Sequence, residues 1–436
     1  MRWIGDTPLA HELEREARAA LDWIDGYGDF DGDGYVEYER KQATGLENQC
    51  WKDSHNSILF ADGTQSSLPR ACCEIQGYVY DAKLRCARLA REAWGDGELA
   101  RRLEEEAAEL KRRFNEDFWL ADRGYFALAL DGDKRPVDSL TSNIGHLLWS
   151  GIVDDDKAEQ VARHLVGPRL FSGWGVRTMA EGDGGYNPIG YHLGTVWPHD
   201  NSLIAAGLAR YGYRAEAARV ALAMVEAAEY FDHRLPEAFA GYSRARTLFP
   251  VEYPTACSPQ AWATGAPLLF VTTLLGLEPG DLERRDPVLP AGVGRLDLTM
   301  RRPGQNGRRR AARPRGVPRA SGAGKQPPAV GSAREFFAVL AAHVDRADAG
   351  GTEGSFRFDV RGTGSWRLDV RGGDVVVTES EEHADLVVEL TEQLLLAMAR
   401  GEQNATTAFL TGSLKLVGDL SLAPKLERLL PQIPRA

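Results

Sequence analysis

Apolar side chains recur every three or four residues through most of the range 9–290. Near its start, Leu9, Leu13, Ala17, Ala20 and Ile24 follow this spacing, which puts them on one face of a helix. The same period continues in later segments, at 71–93, 97–118, 156–166, 202–230 and 258–276. This pattern predicts an all-α body whose helices are joined by long loops.

The segments between these helices are rich in glycine and in polar and aromatic side chains, as in 171–201, FSGWGVRTMAEGDGGYNPIGYHLGTVWPHDN. Loops held by rigid elements commonly carry binding sites. Flat Trp and Tyr rings suit the apolar faces of pyranose rings, and Asp, Asn and His side chains suit their hydroxyl groups. We therefore expect a sugar-binding site at the loop ends.

In the last hundred or so residues the apolar period changes to two. Phe356 and Phe358 alternate with polar residues, and Trp366 and Leu368 do the same after a glycine-containing turn. Such alternation predicts antiparallel strands. The segments that follow predict a helix, a short strand and an amphipathic closing helix, at 391–401, 413–420 and 422–430. Together they indicate a separate, small α+β domain.

A basic segment separates the two patterns. Residues 301–327 contain eight Arg, one Lys and no acidic residue, in a chain of net charge −11. With so few large apolar side chains, this segment cannot bury enough surface to offset chain entropy. We therefore expect a linker at 299–332 between domains at 1–298 and 333–436. A short basic arm without interleaved aromatic residues does not favour binding to nucleic acid.

The composition is that of a globular protein, with 43% hydrophobic residues in a chain of 436. The longest apolar stretch, 266–277, is shorter than the ~20 residues that span a bilayer. No signal segment opens the chain, so we expect a cytoplasmic protein without a membrane span. The cysteines form no C-x-x-C pair, which argues against a disulfide framework, a zinc cluster or another metal centre. We expect reduced, mostly buried thiols and no cofactor, the cysteines being Cys50, Cys72, Cys73, Cys86 and Cys257.

The segment GDFDGDGYVEYER, residues 28–40, begins like a calcium-binding EF-hand loop. Asp29, Asp31 and Asp33 alternate, and Gly34 occupies the sixth position. The twelfth position of such a loop carries a bidentate Glu, and here it holds Arg40. An EF-hand, a solvated acidic turn and a loop with a more specific role remain open at this point.

Several segments resemble the catalytic half of bacterial glycogen-debranching enzymes of the amylo-α-1,6-glucosidase group. They arrive in family order between 9 and 290, among them GLENQCWKDS, EIQGYVYDAK, TSNIGHLLWSGI, FSGWGVRTMAE, YNPIGYHLGTVWPHDN, RLPEAFAGYSR and PVEYPTACSPQAWATGAP. The resemblance implies a six-hairpin (α/α)6 toroid and the inverting hydrolysis of α-1,6 or related glucosidic bonds in an oligo- or polysaccharide. It also implies that the acidic turn is a loop at the mouth of the toroid and needs no calcium.

The chain departs from that family in its helix count. We count about eight helices before the linker, where a closed toroid needs twelve. An incomplete toroid is therefore expected, without the N-terminal β-rich domain and the first hairpins of the family. A non-catalytic sugar- or lipid-binding protein derived from a truncated glycosidase is the alternative function.

The tail, residues 333–434, resembles the sterol-carrier-protein fold, above all in AFLTGSLKLVGDLSLAPKLERLL. The resemblance implies an apolar tunnel for a lipid or another hydrophobic small molecule. Its expected lining shares one face of the sheet and consists of Phe356, Phe358, Trp366, Leu368, Leu414 and Leu416. The helix at 422–430 is expected to close the cavity.

Inverting glycoside hydrolysis needs a general acid at the glycosidic oxygen and a general base that activates water. The resemblance assigns these roles to Asp53 and Glu237, with carboxyl groups expected roughly 6.5–9.5 Å apart. Asp53 is expected in the more apolar surroundings, and Glu237 to be more hydrated or hydrogen-bonded. The alternatives are a helix cap for Asp53, a structural acid near a helix start for Glu237, and Glu252 as a rival base.

The candidate substrate-binding residues lie in the same loops: Trp51, Lys52, Trp174, Arg177, His192, Trp197, His199, Asp200, Asn201, Glu252 and Gln260. Each tryptophan is either a stacking platform or a core residue. Arg177 either pairs with a catalytic carboxylate or braces its loop, and Asp200 can both bind a hydroxyl group and cap a helix. His192 and His146 favour structural roles, because this chemistry relies on carboxylates.

Overall fold

The computed structural model describes residues 7–247, 249–277, 287–290, 295–302, 305–312, 331–343, 353–371, 374–399, 408, 413–419 and 422. The chain divides into two compact units, Met1–Pro314 and Arg315–Ala436. None of the helices in these described ranges is both long and apolar enough to cross a bilayer.

The first unit is mainly helical. Its helices are α1 (Thr7–Glu12), α2 (Glu14–Gly26), α3 (Cys73–Leu89), α4 (Gly97–Asp117), α5 (Asn143–Ser150), α6 (Asp155–Leu165), α7 (Pro198–Arg210), α8 (Arg214–Ala228) and α9 (Ala261–Leu275). A π-helical turn, Ala90–Trp94, continues α3, and a 3-10 turn, Glu229–Phe231, follows α8. Two pairs of two-residue strands are antiparallel, β1 (Ala71–Cys72) with β4 (Ala129–Leu130) and β2 (Trp119–Leu120) with β3 (Tyr125–Phe126).

Local sequence explains where these helices begin and end. The Asp96 carboxylate accepts the backbone N–H of Leu99 at 2.9 Å and caps α4, and Pro198 occupies the first turn of α7, where it costs no hydrogen bond. The segment predicted as one helix at 202–230 is two helices, because Gly212 adopts a φ of +90° between α7 and α8, a conformation that ends a helix.

The helices pack pairwise, α3 against α4 and α5, and α7 against α5, α8 and α9. The largest apolar cluster of the described residues lies between them, with the Phe114 ring stacked on Phe118 and on Phe126 at centroid distances of 4.5 and 5.2 Å. The predicted helical body is therefore confirmed. The part of the chain that the structure describes contains nine α-helices before Gly276, and the expected incomplete toroid stays a prediction.

The described part of the predicted linker is a β-hairpin. Strand β5 (Arg295–Arg302) pairs antiparallel with β6 (Gln305–Ala312), in a register that places Arg302 opposite Gln305. The ladder is held by backbone hydrogen bonds, and its first strand begins before the basic segment, in the sequence RLDLTM. Residues 313–330 lie outside the described residues, and the domain bounds at 298 and 332 stay predictions.

The second unit is an α+β fold, as predicted. Its elements are α10 (Ala333–His343), β7 (Gly354–Arg361), β8 (Gly364–Arg371), β9 (Asp374–Glu379), β10 (Leu386–Thr391), α11 (Glu392–Ala399) and β11 (Lys415–Gly418). The sheet order is β11-β10-β7-β8-β9, in which β10 runs parallel to β7 and the other neighbours are antiparallel.

One face of this sheet carries the second core. Phe358 pairs with Trp366 across β7 and β8, and the Trp366 ring stacks on Phe337 of α10 at 4.7 Å. The expected lining residues share this apolar core: Phe356, Phe358, Trp366, Leu368 and Leu414 are buried, and Leu416 is half-buried against it. Of the predicted closing helix, only Leu422 lies within the described residues.

Candidate active site

An aromatic cluster surrounds Trp51 in the first unit. The Trp51 ring stacks on His146 of α5 at 5.6 Å. It also makes T-shaped contacts with the rings of His192, Trp197 and His199, at centroid distances of 5.5, 5.8 and 5.1 Å. These residues come from the loop after α2, from α5 and from the segment that leads into α7. The structure therefore brings together side chains that are far apart in the sequence.

Asp53 lies beside this cluster, and its side chain is 55% exposed. Its Oδ1 atom is 4.0 Å from Nδ1 of His192, which is also 2.7 Å from the Ser54 hydroxyl. The expectation that Asp53 occupies apolar surroundings is wrong, because this part of the loop turns to solvent while Lys52 turns inward. The helix-cap alternative also fails, since residues 54–57 form a turn and the next helix, α3, begins at Cys73.

Glu237 is buried and hydrogen-bonded. Its carboxylate accepts the backbone N–H of Cys257 and the side-chain amide of Gln260, both at 3.2 Å. Its own N–H donates to the carbonyl oxygen of Cys257 at 2.9 Å. No helix begins at this position within the described residues, which removes the helix-start alternative. The rival base Glu252 is exposed on a backbone segment that bridges to Phe239.

Tyr191 connects the two carboxyl groups. Its ring centroid is 4.6 Å from that of His192 and 4.8 Å from that of Trp197, and Glu237 lies close enough to raise the pKa of its hydroxyl group. Burial raises the pKa of Tyr191, and the charges of Glu237 and Asp53 raise it further. The phenol therefore stays protonated at neutral pH. Tyr191 lies within a segment that carried the resemblance, but no spacing rule singled it out.

A buried polar layer lies beneath Trp51. His146 Nδ1 lies 2.5 Å from the Tyr78 hydroxyl, and His146 Nε2 lies 2.7 Å from Oδ1 of Asp200. Both ring nitrogens are therefore hydrogen-bonded, as the predicted structural role of His146 requires. Several buried polar atoms around this layer have no hydrogen-bond partner among the described residues: Trp51 Nε1, Glu74 Oε1, Asn143 Oδ1, His199 Nδ1 and Asp200 Oδ2. Buried polar atoms are rarely left unpaired, so these donors and acceptors are available to the hydroxyl groups of a ligand or to water.

Two histidines of the cluster, His192 and His199, are neutral at pH 7. Burial, with the nearby charges of Lys52 and His199, lowers the pKa of His192 to about 3. Burial likewise lowers the pKa of His199 to about 4, although the charge of Asp200 opposes this. Both rings therefore contribute hydrogen bonds and flat surface, and neither contributes a charge.

Trp262 is the most exposed ring of the cluster, at 41%. It stacks on His199 with a centroid distance of 3.8 Å and an interplanar angle of 4°. Trp197 is almost fully buried, and its Nε1 atom donates to the carbonyl oxygen of Tyr191 at 2.9 Å. Trp262 was not among the predicted site residues, although it stands in the segment PTACSPQAWATGAP, two residues after Gln260.

Trp174 belongs to the core. It is 1% exposed and packs edge to face on Tyr230 at 5.6 Å, with the guanidinium group of Arg244 4.1 Å from its centroid. A ring without an exposed face cannot stack on a sugar. The structure thus favours the core alternative for Trp174.

Two further predicted binding residues hold the loops together. Arg177 donates to the carbonyl oxygen of Gly241 at 2.6 Å and lies 3.3 Å from the Glu181 carboxylate, so it braces its loop. Asn201 binds both backbone groups of Val176, at 2.7 and 3.0 Å, and the carbonyl oxygen of Trp197. All of its side-chain hydrogen-bonding groups are used in this way, which leaves Asn201 a structural role.

In the part of the chain that the structure describes, two groups of side chains bring candidate metal ligands within 4.8 Å of one another. They are Cys50, Cys72 and Glu74, and Asp29, Asp31 and Glu37. In the first group, the Tyr38 hydroxyl contacts both sulfur atoms, at 3.7 and 3.4 Å. Burial raises the pKa of the Cys72 thiol, which opposes the thiolate form that a metal requires. The five cysteines are free thiols, and Cys257 is exposed.

The second group already holds a cation from the protein. The Lys134 ammonium group lies 2.7 Å from Asp31, 2.5 Å from Asp33 and 2.5 Å from Glu37. Asp29 accepts the backbone N–H groups of the turn at 32–34. Lys134 thus contacts the carboxylates at the third, fifth and ninth positions of the EF-hand-like turn, and the acidic turn is a specific contact with the loop after β4.

Comparison with known proteins identifies both units. Residues 6–245 match the family model described as the mannosylglycerate hydrolase MGH1-like glycoside hydrolase domain. The chain belongs to this family. Residues 337–431 match the SCP-2 sterol transfer family, so the second unit carries an SCP2 domain. The predicted glycoside hydrolase domain is confirmed, whereas the family match does not support the debranching type or the amylo-α-1,6-glucosidase specificity.

The curated relatives match the SCP2 domain. Hydroxysteroid dehydrogenase-like protein 2 from Homo sapiens is 32% identical over 110 residues, which cover 24% of this chain and 26% of that protein. Sterol carrier protein 2 from Rattus norvegicus is 36% identical over 89 residues, which cover 19% and 16%. The chain thus spans about a quarter of the length of the first of these relatives.

The solved structures resemble the chain at low sequence identity. A structure named Sialidase has a TM-score of 0.52 at 16% identity and covers 68% of this chain and 27% of its own. A GH63 mannosylglycerate hydrolase from Thermus thermophilus in complex with glucose has a TM-score of 0.39 at 20% identity, covering 47% and 45%. At 16% identity, the likeness to Sialidase concerns the fold alone.

Proposed function

We propose that the first unit is an inverting glycoside hydrolase in which Asp53 is the general acid and Glu237 the general base. The observation that carries this proposal is the position of two adjacent residues. Tyr191 lies close enough to Glu237 for that carboxylate to raise its pKa, and His192 lies 4.0 Å from Asp53. Both carboxyl groups therefore border one aromatic cluster, as a reaction that needs an acid and a base on opposite faces of a sugar requires.

The surroundings of the two carboxyl groups suit different roles. Glu237 accepts hydrogen bonds from the Gln260 amide and the Cys257 backbone N–H, which orient its carboxylate for taking a proton from water. Asp53 is exposed, so a bound sugar would displace water from its carboxyl group. Desolvation favours the protonated form that a general acid needs.

The proposed substrate is a glycoside with a hexopyranose ring. The exposed Trp262 ring offers a flat apolar face, and the unpartnered atoms of Trp51, Asp200 and His199 offer a donor and acceptors to hydroxyl groups. Mannosylglycerate is the first candidate, because the matched family carries its name. An α-1,6-linked or related α-glucoside is the second, on the strength of the motifs that resemble debranching enzymes.

For the second unit we propose binding of an apolar small molecule such as a sterol or an acyl chain. The support is the continuous apolar face of its sheet, together with the similarity to a protein named sterol carrier protein 2. The ligand would contact this face or the elements that cover it.

The experiment uses the purified full chain and a panel of mannosylglycerate, isomaltose, limit dextrin, trehalose and sucrose. Proton NMR of the first turnover should show a product anomer opposite to that of the substrate. Asp53→Asn and Glu237→Gln should each lower kcat by about 10²–10⁴-fold, with an unchanged unfolding midpoint.

Glu252→Gln is the matched control, because it removes a nearby exposed carboxylate and should leave kcat within about threefold. Loss of activity in Glu252→Gln with full activity in Glu237→Gln would transfer the base role to Glu252. A folded chain that binds sugars from the panel and hydrolyses none of them would instead establish the non-catalytic alternative.

A further inference from the structure

Lys52 is fully buried although it stands between half-buried Trp51 and exposed Asp53. Its Nζ atom donates to the carbonyl oxygen of Thr178 at 2.6 Å and lies 5.3 Å from the Trp51 ring centroid. Predicted as a substrate contact, it binds the protein backbone instead. Burial of an ammonium group is unfavourable unless hydrogen bonds or opposite charges compensate it. The inward position of Lys52 therefore indicates a specific function.

Thr178 is tied to the segment that carries Tyr191. The Thr178 N–H donates to the carbonyl oxygen of Thr195 at 2.9 Å, and the Gly194 N–H donates to Oγ1 of Thr178 at 2.8 Å. The Thr195 hydroxyl in turn donates to the carbonyl oxygen of Tyr191 at 2.5 Å. A chain of hydrogen bonds thus runs from Lys52, the neighbour of Asp53, to the segment of Tyr191. The same segment is joined to that of Glu237 by two backbone hydrogen bonds between Val196 and Phe239, at 2.8 and 3.0 Å.

The groups that face Lys52 hold it in its charged form at neutral pH. Burial lowers the pKa of Lys52 to about 8, while the carboxylates of Asp200 on α7 and Glu74 on α3 raise it, with smaller contributions from the thiols of Cys50 and Cys73. On the cluster side, the charge of Lys52 helps to keep His192 neutral. The ammonium group therefore persists at pH 7 and is lost in moderately alkaline solution.

We propose that Lys52 is a positioning residue for the hydrolysis proposed above: its buried ammonium group fixes the loop of Asp53 to the loop of Tyr191 and thereby sets the spacing between Asp53 and Glu237. Catalysis by paired groups depends on that spacing, and a displacement of about 1 Å can cost about 100-fold in rate. The role differs from general stabilisation, because it acts on two defined segments and on kcat.

The test compares Lys52→Met with Lys111→Met in the full chain. Lys111, on α4, is a matched control, because its ammonium group also donates to buried backbone, the carbonyl oxygens of Gly151 and Val153, at 3.0 and 2.9 Å. Lys52→Met should lower kcat about 30- to 100-fold, with KM changed less than about threefold. Lys111→Met should leave both constants within about twofold.

Hydrogen–deuterium exchange provides a readout that does not depend on activity. Peptides that cover 48–57 and 190–198 should exchange faster in Lys52→Met than in the wild type at pH 7, and Lys111→Met should not show this increase. After correction for intrinsic exchange rates, the wild type should show the same increase at pH 9.5. Lys52→Met should show no further change at that pH.

Unchanged kcat in a folded Lys52→Met protein, or an equal loss of kcat in Lys111→Met, overturns the proposal and leaves the hydrolase function intact. If the wild type hydrolyses none of the substrates, the hydrolase function fails separately. Equal exchange of both peptides in the wild type and in Lys52→Met would show that Lys52 does not fix the two loops, and would overturn the proposal. If Lys52→Met does not fold, Lys52→Gln, which retains a shorter, uncharged donor, is measured in the same way with the same expected losses.

Discussion

The Nε2 atom of His146 lies 2.7 Å from Oδ1 of Asp200, and both side chains are fully buried. On its other side, the His146 ring contacts the Tyr78 hydroxyl at 2.5 Å. This relay joins α3, α5 and α7 directly beneath Trp51. It therefore couples the stability of the helical body to the floor of the proposed site.

His146→Phe should lower the free energy of unfolding by about 3–5 kcal/mol, because it leaves the buried Asp200 carboxylate without its donor. Urea denaturation at pH 7 measures the change. The double variant His146→Phe/Asp200→Asn should lose less than the sum of the single losses, since each single variant leaves one unpaired partner. His55→Phe, at an exposed position of the turn that follows Asp53, is the control and should change stability by less than about 0.5 kcal/mol.

The stability of the first unit should fall as the pH is lowered from 6.5 to about 4. The pKa of His199 is lowered to about 4 in the folded chain by burial, whereas an unfolded histidine titrates near 6.5. Between these values the unfolded state binds more protons, so each pH unit costs about 1 kcal/mol for this residue. His199→Phe, which retains a flat ring against Trp262, should show a shallower decline between pH 6.5 and 4 in thermal unfolding. An identical slope in both proteins would contradict the prediction.

The sequence predicts those parts of this site whose structure is determined by residues close together in the chain. The helical period is local, so the longer helices around the core were predicted, whereas α5, with only eight residues, was not. The break at Gly212 was missed because a single glycine signal is weak in an otherwise apolar run. The direction of a side chain at a loop position is not local. Lys52 and Asp53 are neighbours, yet one is buried and the other exposed, because the loop passes over α3 and α7 only in the folded chain.

The same reasoning applies to the aromatic residues. Trp174 and Trp262 are equally conspicuous in the sequence, but the first fills the core and the second stacks on His199 near the surface. A tryptophan can serve either purpose. Whether its ring is buried depends on its packing against helices from distant parts of the chain. Tyr191 carries no motif of its own, and only its contact with Glu237 reveals it.

Lys134→Met should destabilise the first unit by about 1–3 kcal/mol, less than for a fully buried pair because Lys134 is partly exposed. The change leaves Glu37, which is buried, next to Asp31 and Asp33 without their shared cation. Thermal unfolding at pH 7 measures the loss, and added salt should reduce it by screening the remaining carboxylates. Lys41→Met, an exposed lysine of the same loop region, is the control. Equal stability of wild type and Lys134→Met would show that the acidic turn does not depend on Lys134.

The accessible thiols should react in the order set by burial. Cys257 is exposed, whereas Cys72 and Cys73 are buried with pKa values raised by that burial. Iodoacetamide at pH 8 should therefore modify Cys257 within minutes and leave Cys72 and Cys73 unmodified in the native chain, because the thiolate is the reacting form. Peptide mass spectrometry reads the positions, and urea-unfolded protein supplies the full-modification reference. Early modification of Cys72 would show that the segment before α3 opens to solvent.

Trp366→Ala tests whether the apolar face of the second unit is a packed core or the wall of a ligand cavity. The ring is 4% exposed and stacks on Phe337, so its removal should lower the stability of this unit by about 3–5 kcal/mol. Val376→Ala is the control on the same sheet, since Val376 is 56% exposed and should matter little.

A fluorescent fatty-acid analogue added to the full chain then separates the two roles. If Trp366 is core, its removal opens an apolar space, and the variant should bind the probe at least as tightly as the wild type at a temperature where both are folded. A tenfold or greater loss of affinity in the folded variant, with wild-type affinity in Val376→Ala, would instead make Trp366 a direct ligand contact.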